Sequence, residues 1–212
     1  MASMPPEQEQ PERLKRPTAD YDMALKKMLE TARDGFLALI APGVQFETAL
    51  PTELPATTRQ ADLVWAVTFD AGTTPHRQHG LLHIELQTTA RPDLGERLLE
   101  YMVQLWLRER RARRAQGEVE PGISIRSIVV VLRPTTTLAS PPLRISWADE
   151  QRLEFTYDVV KLWEIAPERV LTTDYYQLWP LTSLMAGVTT ESTVAVAQRL
   201  AEAPCHARNA AT

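Results

Sequence analysis

The sequence predicts an α/β domain whose core elements follow the order helix, strand, strand, strand, helix, strand. Two long segments carry apolar residues at three- and four-residue steps, which is the period of an amphipathic helix. Short runs rich in β-branched residues lie between and after them, separated by Gly and Pro. Neighbouring strands in this order need not all run parallel, so we expect a mixed sheet flanked by helices, followed by further C-terminal strands and helices. With 212 residues, 44% of them hydrophobic, the chain is long enough for one such domain and short for two.

The domain is expected to occupy residues 18–187, between two ends of different composition. Residues 1–17 are rich in Pro, Gln and charged residues and have almost nothing to bury, which predicts a disordered tail. Residues 188–212 predict a last helix that fades into a flexible, Ala-rich tail. The one cysteine, Cys205, excludes an internal disulfide framework and suits a reducing compartment. Because no apolar run reaches membrane-spanning length and the N-terminus lacks the apolar core of a signal peptide, we expect a cytoplasmic protein without a membrane partner.

The first helix is predicted over residues 18–41, up to a Pro-Gly pair. Asp22 and Lys26 lie one turn apart on it, and an ordinary surface ion pair would explain both. A first strand is predicted over residues 44–50. The apolar stripe of the helix, which is expected to lie on a core, consists of Tyr21, Leu25, Met28, Leu29, Ala32, Phe36, Leu39 and Ile40.

A β-hairpin is predicted from residues 61–69 and 80–87, two apolar runs of strand length joined by a turn-rich segment. Side chains alternate along a strand, so Glu85 and Gln87 project from one face. Asp62, near the start of the first strand, comes alongside the end of the antiparallel second strand. Two carboxylates and an amide therefore converge at one point, although a solvated strand edge would explain each acid taken alone.

Glu85 is the more informative of the two acids, because it lies in a strand that otherwise looks buried. A buried, unpaired carboxylate is costly and normally needs a metal ion or a cation. His83 shares the face of Glu85 and is a minor site candidate. Glu53, in the loop before Asp62, is expected to be solvated unless it contributes a further acid. No cysteine and no second ligand at metal-binding spacing accompanies the histidines, which excludes a zinc site.

The longest helix is predicted over residues 93–116, with Asp93 as its cap and Gly117 at its end. Residues 108–114, RERRARR, form the only dense basic cluster in the sequence, and a solvated helix end and a contact with phosphate both explain it. The core stripe of this helix is Leu94, Leu98, Leu99, Met102, Leu105 and Trp106. A second face carries the polar or aromatic side chains of Arg97, Tyr101, Gln104, Arg108 and Arg111.

Beyond the long helix, a buried central strand is predicted over residues 123–133. Shorter strands are predicted over residues 143–147 and 152–157, and residues 159–163 are expected to extend the second of these. A shorter helical part is predicted over residues 167–185. These segments complete the domain.

The hairpin carries a spacing that resembles a known nuclease signature. Asp62, a gap and then Glu85-Leu86-Gln87 resemble the PD-(D/E)xK motif, with Gln87 standing where Lys is usual. Other segments resemble, in the same order, the Rpn family of recombination-promoting nucleases and transposase-like proteins. These segments are Asp20-Tyr21-Asp22 with Lys26, RQADLV, LLHIELQ, ERLLEYMVQL, and FTYDVVKLWEIAPERVL followed by LWPLTSLMAG. The resemblance covers residues 20–187, most of the chain.

The resemblance implies a restriction-endonuclease-like αβββαβ core and a metal-dependent endonuclease that cleaves DNA in recombination or transposition. On this basis the oxygens of Asp62, Glu85 and the Leu86 carbonyl would hold Mg²⁺ or Mn²⁺, cations that prefer hard oxygen ligands. Gln87 would orient water but cannot act as a base, so either the metal and Gln87 suffice or Lys26 fills the role of the usual Lys. The DNA contacts that we expect are Arg97, Tyr101, Arg108 and Arg111.

Two other functions remain open at this point. The nuclease fold can persist as a catalytically inactive DNA-binding or protein-interaction module that uses residues 108–114 and needs no metal. A plain globular protein without a nucleic-acid role would fit the net charge of −4, which gives no support to DNA binding. For the nuclease, we expect DNA as the partner, and a second copy of the chain wherever both strands are cut, since one site cuts one strand.

Overall fold

The computed structural model describes residues 19–53, 62–70, 77–89, 91–118, 122–134, 140–147 and 150–202. The disordered tail predicted for residues 1–17 lies outside these ranges, as does the end of the flexible tail predicted to close the chain. The helices are α1 (Ala19–Thr31), α2 (Arg33–Ile40), α3 (Leu94–Ala115), α4 (Glu168–Leu171) and α5 (Thr190–Glu202), with 3-10 helices at Leu162–Glu164 and Tyr176–Leu184. The strands are β1 (Val44–Ala49), β2 (Leu63–Asp70), β3 (Arg77–Gln87), β4 (Ser124–Val131), β5 (Leu143–Trp147), β6 (Glu150–Phe155) and β7 (Asp158–Lys161).

The main sheet is mixed, with the strand order β1-β2-β3-β4-β7. The first three strands form an antiparallel meander, whereas β4 runs parallel to β3 and β7 runs parallel to β4. Two parallel neighbours cannot be joined by a tight turn, and α3 supplies the crossover between β3 and β4. The predicted α/β class and mixed sheet are confirmed.

Helices cover both faces of this sheet. On one face, α1, α2 and the second 3-10 helix pack on a large apolar cluster that includes Leu29, Phe36 and Trp65. On the other face, α3 packs on smaller clusters through Leu98 and Leu105. The central strands are therefore buried from both sides, which explains the apolar runs at residues 63–67 of β2 and 128–131 of β4, whereas β3 also buries His83, Glu85 and Gln87. None of the helices in the described ranges combines the length and the apolar character that a membrane crossing requires.

The last strand differs from the prediction. Residues 159–163 were expected to extend the strand before them, but β7 is a separate strand that pairs with β4, while β6 pairs only with β5 in a two-stranded sheet. The physical reason lies in burial: Val159 packs against the cluster under α3, and Val160 packs against the cluster on the opposite face. Two adjacent apolar side chains thus bury on both faces only if β7 joins the main sheet.

The two long predicted helices also need correction. The first helix is divided at Ala32, whose backbone leaves the helical region with φ −106° and ψ 31°, and the buried residues on either side of this break contact the same apolar cluster. Asp93 takes the cap position of α3, but its side chain makes no capping hydrogen bond. Its Oδ1 atom lies 3.5 Å from Arg91 Nε instead.

Candidate active site

The two carboxylates of the candidate site meet where β2 begins and β3 ends. The antiparallel register pairs Leu63 with Ile84, so Asp62, which directly precedes β2, comes across from Glu85. The backbone N–H of Leu86 donates a hydrogen bond to Asp62 Oδ2 at 2.8 Å, which ties this carboxylate to the neighbouring strand. The amide of Gln87 donates to Glu85 Oε1 at 3.2 Å. The local hairpin therefore brings together the two acids and the amide that the sequence analysis singled out.

Lys26 reaches the same place from α1. Its Nζ atom lies 2.9 Å from Asp22 Oδ2 and 2.7 Å from Asp62 Oδ1, so it has a second partner besides the surface ion pair expected from sequence. Burial alone would lower the pKa of Lys26, but its hydrogen bonds to Asp62 and Asp22 and their negative charges raise it overall. Lys26 is therefore a charged ammonium group held at the edge of the site.

Glu85 is buried beneath α3, with its side chain only 4% exposed. Arg97 compensates its charge, because Arg97 Nη2 donates to Glu85 Oε1 at 3.0 Å. The same nitrogen donates to the hydroxyl of Tyr101 at 3.3 Å. The other carboxylate oxygen of Glu85, Oε2, is buried and has no hydrogen-bond partner in the part of the chain that the structure describes. Glu85 is thus fixed through one oxygen and unsatisfied at the other.

Asp62 and Glu85 are close enough to repel one another. Burial raises the pKa of Asp62, and the negative charge of Glu85 raises it further. The hydrogen bonds from Lys26 and from the Leu86 N–H lower the pKa of Asp62 without cancelling this rise. The ammonium group of Lys26 therefore does not fully offset the burial of Asp62 and the charge of Glu85, and an additional cation would further favour the charged form of Asp62.

The ligands available for a metal ion are few. Within the described ranges, no three His, Cys, Asp or Glu side chains are grouped so that they could hold a metal ion. A cation between Asp62 and Glu85 would depend on two carboxylates, with a backbone carbonyl, water or substrate completing its shell. That composition fits Mg²⁺, which commonly binds one or two carboxylates and keeps several waters.

The four expected DNA contacts do not lie together. Arg97 and Tyr101 lie at the acidic site, and Tyr101 is only 1% exposed, so the polar face predicted for α3 is buried at this position. Arg108 donates to the Pro51 carbonyl at 2.6 Å, and Arg111 is exposed near the end of the helix. At 1.5 Å per residue, Arg111 is roughly 21 Å from Arg97 along the helix axis. Only the distal pair belongs to the basic cluster.

The remaining candidates lie at the edges of the site or away from it. Glu53 is exposed, as expected. His79 lies at the other end of β3, where its Nδ1 atom is 2.6 Å from Glu47 Oε1. His76 falls outside the described residues. His79 and Glu47 therefore lie away from the site around Glu85.

β4 contributes a residue that the sequence analysis did not indicate. Ser127 is buried and is the parallel partner of His83, whose Nδ1 atom lies 3.4 Å from Ser127 Oγ. A serine in an apolar strand gives no signal by itself. It becomes visible only once the register between β3 and β4 is known, and these strands are separated by the whole of α3.

Comparison of the chain with protein-family models, with curated proteins and with solved structures finds no match. Function must therefore be inferred from the site geometry and the sequence motifs.

Proposed function

We propose that this protein is a metal-dependent DNA endonuclease of the Rpn type, built on a restriction-endonuclease-like core, that hydrolyses phosphodiester bonds in recombination or transposition. The observation that carries the proposal is the cross-strand pair of Asp62 and Glu85, which repel one another at the end of β3 beside Gln87. The fold gives further support. An antiparallel meander of β1, β2 and β3, a crossover through α3 and a parallel β4 follow the αβββαβ order of that nuclease core.

Asp62, Glu85 and the backbone carbonyl of Leu86 would hold Mg²⁺ or Mn²⁺. The Leu86 N–H points toward Asp62, and in an extended strand the N–H and C=O of one residue point to the same side. The carbonyl therefore faces the side of β3 on which Asp62 lies. When bound, the cation would polarise the scissile phosphate and lower the pKa of a coordinated water.

Lys26 and Gln87 would share the task of the lysine that usually follows the second acid. Gln87 carries no charge, but its amide is fixed by Glu85 and can orient a water molecule. Lys26 brings a positive charge within 2.7 Å of Asp62, and this charge can stabilise a phosphate bound there. The chain thus supplies from α1 the cation that is missing from β3.

Arg97 would contact the phosphate backbone next to the cleavage site. Its guanidinium lies on Glu85 Oε1, and its side chain is 12% exposed. Its second terminal nitrogen, Nη1, is buried and has no hydrogen-bond partner among the described residues, so this nitrogen would reach a phosphate only if the side chain turned outward. Farther along α3, Arg111 and the rest of the basic cluster would contact the duplex at a distance of several base pairs.

Cleavage of supercoiled plasmid tests this proposal. The purified chain is incubated with plasmid in Mg²⁺, in Mn²⁺ and in EDTA, beside Asp62→Ala, Glu85→Ala and the control Asp158→Asn, which alters a half-exposed acid paired with Arg126. We expect metal-dependent nicking or linearisation by the wild type and the control, and intact plasmid with both site variants. Equal cleavage by wild type and site variants would show that a contaminant or another site is responsible.

A second candidate is a catalytically inactive module that retains the nuclease fold. It is favoured by the observation that each carboxylate already has a cationic partner, Lys26 for Asp62 and Arg97 for Glu85. Such a module would bind DNA through residues 108–114 or contact another protein. Binding of plasmid that weakens with salt, is indifferent to EDTA and yields no cleaved product would support the module in place of the enzyme.

The proposed partners are DNA and, for cleavage of both strands, a second copy of the chain. The sedimentation of the protein with and without DNA would test the dimer. A monomer in both conditions would restrict the proposed activity to nicking.

A further inference from the structure

His83 is a buried polar residue that the proposed chemistry does not use. Its side chain is fully buried in the middle of β3, two residues before Glu85. A buried imidazole needs partners for two ring nitrogens, because leaving either one unpaired costs free energy. The environment of this ring therefore calls for an explanation.

Among the described residues, three polar or aromatic side chains lie next to the ring. Its Nδ1 atom lies 3.4 Å from Ser127 Oγ, and its Nε2 atom lies 3.8 Å from Glu85 Oε2. The ring of Tyr101 contacts it edge-on, with the ring centroids 5.3 Å apart. Both Nε2 of His83 and Oε2 of Glu85 are buried without a hydrogen-bond partner in the described part of the chain.

The two unsatisfied atoms are suited to one another. A separation of 3.8 Å is longer than an N–H···O hydrogen bond, and it is too short for a bridging water, which would hold the two atoms about 4.5 Å apart. A small rotation of either side chain would bring the two atoms into direct contact. Neither atom has another partner to lose by this movement.

The chemistry of the three groups determines the direction of the hydrogen bonds. An ionised carboxylate only accepts, so Nε2 of His83 must carry the proton that is donated to Glu85. In a neutral imidazole the other nitrogen then accepts, and the hydroxyl of Ser127 can donate to it. The carboxylate thus selects the tautomer in which the ring donates to the acid, and the serine hydroxyl, which can donate or accept, fits that tautomer.

We propose that Ser127 and His83 form a hydrogen-bonded chain that positions the Glu85 carboxylate: Ser127 O–H donates to His83 Nδ1, and His83 Nε2–H donates to Glu85 Oε2. With Oε2 held in this way, and Oε1 bound to Gln87 and Arg97, the carboxylate cannot turn about its last bond. Ser127 and His83 are then positioning residues. The consequence for metal binding rests on the proposed function, in which Glu85 is a ligand.

The hydrogen-bond chain can be tested without any metal or DNA. Long-range proton–nitrogen spectra of the full-length, ¹⁵N-labelled protein distinguish the two neutral tautomers of a histidine ring. The signals of His83 are assigned by their absence in His83→Gln, and His79→Gln is the control for the other described histidine. We expect His83 to carry its proton on Nε2 and Ser127→Ala to shift its Nδ1 signal. A proton on Nδ1, or on both nitrogens at neutral pH, would overturn the chain.

The positioning role is tested by calorimetric titration with Mn²⁺ alone. His83→Met removes the hydrogen-bond donor and fills the buried space with an apolar side chain. His83→Gln instead keeps an N–H that can reach Glu85. Because groups that orient a metal ligand commonly change the affinity by 10- to 100-fold, we expect about 10-fold weaker Mn²⁺ binding in His83→Met and near-wild-type binding in His83→Gln. Equal affinities in these two variants would contradict the role.

Two further results keep the inference separate from the proposed function. If His83→Met does not fold, Ser127→Ala provides the titration instead, and unchanged Mn²⁺ affinity in that variant would count against a positioning role. If the wild type binds no Mn²⁺, the metal part of both proposals fails, while the tautomer of His83 still decides whether the hydrogen-bond chain exists.

Discussion

At the scale of single residues, the candidate site is a set of charged side chains whose burial lowers the stability of the fold. Asp62 is partly buried next to Glu85, and its raised pKa means that the charged form is less favourable in the folded chain than in the unfolded one. Lys26 and Arg97 reduce this cost without removing it. Charged groups with unfavourable environments occur mainly at functional sites, and this cluster is therefore a better site candidate than the other acidic residues.

Replacing Asp62 by Asn should stabilise the metal-free protein at neutral pH. The folded chain binds a proton at Asp62 more readily than the unfolded chain does, so stability falls as the pH rises through the interval between the ordinary pKa of 3.8 and the raised one. Asp62→Asn removes this dependence. Urea unfolding in EDTA should show a more stable variant above that interval and a shrinking difference as the pH approaches 3.8. A variant less stable than the wild type at neutral pH would show that the bond to Lys26 outweighs burial.

Removing Arg97 should destabilise the fold strongly, because it leaves the buried Glu85 carboxylate without its cation. Breaking one partner of a buried pair costs about 3 kcal/mol or more, whereas an exposed pair contributes less than about 1 kcal/mol. The matched control is Arg126→Met, which breaks the half-exposed pair with Asp158.

We expect urea unfolding to show a large loss for Arg97→Met, a small one for Arg126→Met, and recovery of most of the loss when Arg97→Met is combined with Glu85→Gln. Similar losses for the two arginine variants would mean that Glu85 is not charged in the folded protein.

At the scale of elements, the site depends on one hairpin of the sheet and on two helices that pack on opposite faces of it. The hairpin of β2 and β3 aligns the acids, α1 delivers Lys26 on one side, and α3 delivers Arg97 on the other. The position of α1 and α2 depends in turn on the second 3-10 helix, which packs against them through the large apolar cluster. Changes in that C-terminal segment should therefore affect the site indirectly.

Gly35 provides a test of this packing. A Cβ atom at this position would clash with the ring of Tyr175 and lie 3.0 Å from Leu178 Cδ1, so neighbouring side chains would have to move. Alanine in a helix gains up to about 1 kcal/mol over glycine, but overpacking costs about 1–3 kcal/mol, and the clash should decide the sign. We expect Gly35→Ala to lower the unfolding midpoint, while Gly122→Ala, where nothing lies within 4 Å, leaves it nearly unchanged. An equal or higher midpoint for Gly35→Ala would show that the C-terminal segment packs loosely.

At the scale of the whole molecule, local patterns were predictable from sequence and long-range pairings were not. The hairpin and the convergence of Asp62 with Glu85 follow from alternation along two strands joined by one turn. The contacts of Ser127 and the place of β7 depend on parallel pairings across long connections, which no local pattern specifies. The burial of Tyr101 was missed because an aromatic residue suits both a polar helix face and a core.

The charge of the whole molecule limits how it could bind DNA. The net charge of −4 means that contact must be local, and α3 links the acidic site to the basic cluster at its C-terminal end. Parts of that cluster already have partners, since Arg113 pairs with Glu109 at 2.8 Å and Arg108 binds the Pro51 carbonyl. Arg111 and Arg114 are exposed and remain the residues best placed for phosphate.

Metal binding can be measured without knowing which DNA the protein prefers, and calorimetric titration with Mn²⁺ therefore tests the site most directly. We expect the wild type to bind a single ion per chain, Asp62→Asn and Glu85→Gln each to weaken binding by at least about 10-fold, and Asp158→Asn to bind as the wild type does. A wild type that binds no Mn²⁺, or site variants that bind it equally well, would contradict the assignment of Asp62 and Glu85 as metal ligands and leave the inactive module as the better explanation.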